Sequence, residues 1–172
     1  MVSSSDAVDA IVDDLRRWRP DLDAVGLPIV GRVLRLAQLL QAEREQQLSP
    51  FGLSVADFDV LASLRRRAGT GANNVGELQR AMMLSSGGVT KRLDRLEAAK
   101  LVERHPDPAD RRGVLISLTP TGLELIDDVI VAITSHENDL VTAAVATQRD
   151  RRALQDGLRR LLATLEGVAA SA

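Results

Sequence analysis

Apolar residues recur at helical spacing along most of this chain and give way to short extended runs in one region. Residues 6–18 place Val8, Ile11, Val12 and Leu15 on one face, behind a Ser3–Ser5 run that can cap a helix; Pro20 ends it. A second helix runs from about Pro28 to Gln47, with Ile29, Val33, Leu36, Ala37 and Leu40 as its stripe. After a loop marked by Ser49, Pro50 and Gly52, Ser54 and Asp57 read as a capping box. They open a helix through Phe58, Leu61 and Leu64 that closes in Arg65–Arg67 and Gly69. Those three cations either suit the negative end of the helix dipole or contact a phosphate. Asn74 and Glu77 start a short helix to about Met83.

The run from Leu84 to Leu118 carries the most information. A small, polar start (Ser85, Ser86, Gly87, Gly88) leads into a helix with Val89, Leu93 and Leu96 in line. A strand at Leu101–Arg104, a Pro/Asp turn ending in Arg111 and Arg112, and a strand at Val114–Leu118 follow. Thr119-Pro120 is a helix start, with Thr as cap and Pro in the first turn; Leu123, Ile126, Ile130 and Ile133 continue it. The last helix spans about Gln148 to Glu166, with Leu154, Leu158, Leu161 and Leu165 aligned.

The order is therefore five helices, a hairpin and two more helices. Two helices across a tight turn, backed by a hairpin, make a winged helix-turn-helix. The fold class is mainly α with a small β-hairpin wing and with N- and C-terminal dimerisation helices. Residues 1–27 form an added helix and linker, and 28–172 the main domain. Within it the winged helix-turn-helix covers about 54–118, and helices at about 28–47 and 119–168 pack against a second copy, since a two-fold operator requires a two-fold reader.

Composition narrows the function. At 45% apolar residues but with only two Phe, one Trp and no Tyr, the interior is aliphatic. Cysteine is absent, which excludes disulfides, thiolate metal sites and thiol redox sensing. No apolar run is long enough to span a bilayer, so the expectation is a cytoplasmic protein. The net charge of −2 hides an asymmetry: residues 51–118 carry +3, while the segments before and after carry −2 and −3. That is a local footprint for nucleic acid within an acidic body.

Numbering the helix after Gly88 at 100° per residue, with Leu93 inward, turns Gly87, Lys91 and Arg95 outward and leaves Ser86 and Thr90 at its margin. Ser85 caps it. Small residues let the backbone approach base edges, and Lys91 can reach a guanine or a phosphate. Arg111 and Arg112 at the hairpin tip suit a narrow minor groove. The DNA-reading set is thus Ser85, Ser86, Gly87, Thr90, Lys91, Arg95, Arg111 and Arg112.

At these residues the chain resembles the MarR family of dimeric winged-helix regulators, over roughly Ile29 to Glu166. The D-R-R-G-V-L-I-S-L-T-P-T-G run at Asp110–Gly122 is especially characteristic. The resemblance implies a homodimer on a palindromic operator in double-stranded DNA, released by a small ligand. The run SSGGVTKRLDRLEAAKLVERHPDPADRRGVL, the F-D-V-L-A-S-L-R-R segment and a Trp-bearing N-terminal helix are similar to the urate-responsive branch. That similarity implies a pocket for urate, or a like anionic heterocycle, from Trp18, Asp59, Arg92 and Arg104. The branch usually has Asn at Lys91 and Gly at Lys100. Two guanidiniums suit an anionic planar ring, Trp18 offers a flat apolar face, and Asp59 can accept from ring N–H groups. The same residues have plainer uses: Trp18 as a helix anchor, Asp59 with Arg92 as an ion pair, Arg104 on a phosphate.

Catalysis is not expected. His105 and His136 lie about thirty residues apart in no nucleophile or ligand arrangement, and no glycine-rich phosphate loop is present. His105 with Asp107 and Asp110 fits a solvated hairpin tip better than a metal site, and no cofactor is implied. The remaining alternatives are a repressor answering to a phenolic or aromatic-acid effector, and a winged-helix module without ligand control.

Overall fold

The computed structural model describes residues 5–67, 73–74, 76, 78, 89–108, 110 and 113–167. The chain divides into two units, Met1–Val55 and Ala56–Ala172.

The first unit holds α1 (Ala7–Trp18), α2 (Leu27–Leu48) and a 3-10 turn at Ser49–Phe51. The residue that caps α1 is Asp6, not the serine run before it. Its carboxylate accepts from the amides of Val8 (2.8 Å) and Asp9 (3.1 Å), and Asp9 answers the Asp6 amide at 3.0 Å. A carboxylate satisfies two orphan amides and favours the positive end of the helix. Arg32 of α2 then donates to both acids, at 2.8 Å to Asp6 and 2.6 Å to Asp9, tying the two helices together. Helix α2 buries only Leu48 along its length, and Ile29, Val30, Leu34, Leu36, Leu39 and Leu40 stay exposed.

The second unit contains α3 (Val55–Arg67), β1 (Asn73–Asn74), α4 (Val89–Ala98), β2 (Val102–Pro106), β3 (Val114–Leu118), α5 (Pro120–Ala144) and α6 (Gln148–Leu165). The sheet has three strands in the order β1-β3-β2, both pairs antiparallel. The hairpin register sets Glu103 opposite Ser117 and His105 opposite Leu115. Strand β1 pairs Asn73 with Ile116 and Asn74 with Leu115. The sequence pattern did not include this strand, because two residues are too short to show alternation. The short helix expected to follow lies mostly outside the described residues; within it Gly76 and Leu78 are helical.

The core gathers Leu78 with Val60, Leu61 and Leu64 of α3, Leu93 and Leu96 of α4, Val102 of β2, Ile116 of β3, and Ile126 and Val129 of α5. Helix α4 ends in a Schellman turn: the Leu101 amide reaches the Leu96 carbonyl at 2.9 Å and the Lys100 amide reaches that of Glu97 at 2.8 Å. Lys100 takes the left-handed conformation there, with φ of 59°. Thr119 joins the hairpin to α5. Its hydroxyl accepts from the Gly122 amide at 3.0 Å and donates to the Lys100 carbonyl at 2.6 Å, while its own amide reaches the Leu101 carbonyl at 3.1 Å. Gly122 must lack a side chain, since a Cβ there would lie 1.9 Å from the Leu101 carbonyl oxygen. Helix α6, capped by Thr147, has no buried residue at all. No helix among the described residues is long and apolar enough to cross a membrane.

Candidate nucleic-acid interface

Helix α4 presents its outward face as its apolar spacing predicts. Leu93 and Leu96 are buried, whereas Thr90, Lys91 and Arg95 are exposed. Ser85, Ser86, Gly87, Arg111 and Arg112 of the expected DNA-reading set lie outside the described residues. Between β2 and β3 the Asp107 amide reaches the Gly113 carbonyl at 3.0 Å and the Gly113 amide reaches that of Asp110 at 2.8 Å. Gly113 sits so close to Asp107 that an added Cβ would fall 2.8 Å from the Asp107 Cβ.

Three arginine contacts hold these elements in place. Arg104, on β2, donates to Asp94 at 2.6 Å and also to Glu97, so the wing is tied to α4 through two carboxylates one turn apart. These pairings, Asp94 foremost, raise the Arg104 pKa above its ordinary value. Arg65 meets Asp127 through two parallel bonds of 2.6 and 3.1 Å, fixing the end of α3 to α5. This contact gives the first of the three terminal arginines a structural partner. The third contact joins Arg95 to Asp57, near the start of α3. That pairing likewise raises the Arg95 pKa.

The four residues expected to bind a ligand are divided between the units. Trp18 closes α1 with 68% of its surface exposed. Asp59 on α3 and Arg92 on α4 are both half-buried, as is Arg104. Among the described residues no ion pair links Asp59 with Arg92, while Arg104 is held by the two acids of α4. His105 turns to Ser117 (3.0 Å) and Glu103 (3.2 Å) across the outer face of the hairpin. Among the described residues no group of three or more His, Cys, Asp or Glu is placed to hold a metal ion.

No local sequence pattern marks the carboxylate partners of these arginines. Asp94 and Glu97 could have been placed on one helical face from their spacing of three, but their partner depends on the hairpin register. Asp57 read as a cap, and its link to Arg95 spans 38 residues that no local pattern connects.

Residues 51–113 match the family model described as MarR family. The chain is 36% identical over 135 residues to the HTH-type transcriptional regulator PecS of Dickeya dadantii, covering 78% of this chain and 81% of that one. It is 38% identical over 80 residues to the multiple antibiotic resistance protein MarR of Salmonella typhimurium, a stretch covering 46% of this chain and 54% of the relative. Among solved structures, a mutant MarR from E. coli complexed with operator DNA superposes with a TM-score of 0.67 at 28% identity, over 82% of this chain and 99% of that one.

Proposed function

The chain belongs to the MarR family of winged-helix, DNA-binding transcriptional regulators rather than to an enzyme family, and on that premise we propose that it is a cytoplasmic homodimeric repressor, released from a palindromic operator by urate or a similar anionic heterocycle. The observation that carries the DNA half is helix α4: a buried Leu93–Leu96 face, an exposed Thr90–Lys91 face, and a wing tied to it through Arg104. Thr90 and Lys91 enter the major groove together with Ser85, Ser86 and Gly87, and Arg111 and Arg112 reach the adjoining minor groove. The domain division follows the same reading, with residues 1–27 added to a main domain of 28–172.

The dimer is supported by the helices outside the winged region. An 18-residue helix with no buried residue (α6) and a 22-residue helix that buries one (α2) expose aliphatic stripes that a second copy can cover. Two copies then present two α4 helices about one DNA turn apart.

Ligand release works through the groups that hold α4. Arg92 lies on that helix, and Arg104 is shared with it through Asp94 and Glu97. An anion that attracts both guanidiniums, with Asp59 accepting from ring N–H groups, competes with the wing brace and lets α4 turn. Since both half-sites need the same spacing, a small turn weakens both together.

The test is fluorescence anisotropy of a labelled duplex from upstream of this gene as urate is added. Urate should reverse binding by the native protein. Asp59→Ser and Arg92→Ala should still bind the duplex and no longer release it. Release that persists in both variants overturns the pocket; a native complex unmoved by urate overturns the effector.

A further inference from the structure

Lys91 and Arg95 sit one turn apart on the same outward face of α4, yet they are held differently. Among the described residues Lys91 makes no ion pair. Arg95 is as much a surface residue, its side chain 59% exposed, but its guanidinium is tied to a carboxylate that is 3% exposed. Among the described residues Asp57 is the sole charged side chain that is buried. A buried carboxylate is costly unless it is paired and hydrogen-bonded. Asp57 gains part of that from its place in the first turn of α3, at the positive end of the helix. The Arg95 guanidinium contributes as well, and its higher pKa reflects that pairing. The geometry is asymmetric: the fixed partner is inside, so the mobile one is drawn back towards α3.

We propose that Arg95 is a positioning residue for operator recognition, anchored by Asp57, and does not itself contact phosphate. The pair pins the C-terminal half of α4 to the start of α3. It thereby sets the angle at which Thr90 and Lys91 meet the groove. A recognition helix reads bases through its N-terminal residues, so an error of angle at its far end displaces them laterally. This proposal rests on the DNA-binding reading and adds to it a residue whose charge faces solvent without serving as a ligand for DNA.

The two roles differ in salt dependence. Each phosphate contact contributes about 0.9 to the slope of log affinity against log salt. Binding of the full-length protein is measured across a salt series on a labelled upstream duplex and on a random duplex of equal length. Arg95→Gln should leave the slope unchanged on both duplexes while reducing the preference for the upstream duplex about tenfold, the scale of one misread base pair. Asp57→Asn, which keeps Arg95 and its charge, should lose preference to a similar extent. A slope reduced by about 0.9 in Arg95→Gln overturns the proposal, as does native preference in a folded Asp57→Asn. Circular dichroism checks each fold. If Asp57→Asn does not fold, Arg95→Lys takes its place: it can still reach Asp57, and it should retain the preference that Arg95→Gln loses. A native protein with no preference for the upstream duplex would contradict the operator reading instead, and the slope on random DNA would still decide the role of Arg95.

Discussion

The winged region and the terminal helices use their apolar residues in opposite ways. In the ten residues of α4, Leu93 and Leu96 are both buried, and the helix is held on two sides by Arg104 and by Asp57. In the eighteen residues of α6 nothing is buried; Leu154, Leu158 and Leu162 are about half exposed and Leu165 is 79% exposed. Helix α2 is similar, with one buried residue in twenty-two. An aliphatic stripe at helical spacing forms because it will be covered. Where the chain itself supplies the cover, the stripe is core; where it does not, the stripe stays exposed. The winged region is therefore held within one chain, and under the proposed dimer its duplication falls to the terminal helices.

The largest test of this contrast is Leu158→Glu. A charge in the uncovered stripe should leave the winged region folded but separate the copies, lowering affinity for a two-half-site duplex about a hundredfold as the second contact is lost. Sedimentation velocity and anisotropy read the two effects. An unchanged dimer would move the interface off α6.

Gly122→Ala strikes the opposite side. Its Cβ would meet backbone, the Leu101 carbonyl, and not a yielding side chain. We expect a loss of about 3 kcal/mol in urea unfolding, at the upper end for overpacking, with dimerisation of the surviving folded protein unaffected.

Lys100→Gly should stabilise the same joint by about 1 kcal/mol, because Lys100 occupies a left-handed conformation that costs a side-chain-bearing residue roughly that amount. The smallest effect concerns acid. The Arg65 guanidinium holds the Asp127 carboxyl below its ordinary range. The lowered folded pKa means that this pair stabilises α3 against α5 above the ordinary carboxylate pKa and stops doing so as pH falls through the folded value. Urea midpoints followed from neutral pH into the acid range should therefore fall less steeply for Asp127→Asn than for the native chain.

Much of this was legible in the residues. The spacing of Val8, Val12 and Leu15, of Leu93 and Leu96, and of Ile126 and Ile133 located the helices, because a stripe repeats locally. Thr119-Pro120 marked the start of α5 for the same reason. Gly122 and Lys100 are different: one avoids a backbone atom twenty-one residues earlier, and the other takes a turn that glycine would normally fill. The ion pairs were the least visible. Arg95 faces outward by periodicity, and only the folded contact with Asp57 separates it from Lys91. Asp94 and Glu97 share a face with no hint that β2 will bring Arg104 to them.

The most direct test is the mass of the complex formed on a duplex carrying the upstream palindrome, measured by analytical ultracentrifugation with protein added stepwise. Two chains per duplex with no populated one-chain species are expected, because in the proposed dimer the exposed faces of α2 and α6 would also set the spacing of the two α4 helices. A stable complex of one chain per duplex, with undiminished affinity for a single half-site, would contradict that dimer.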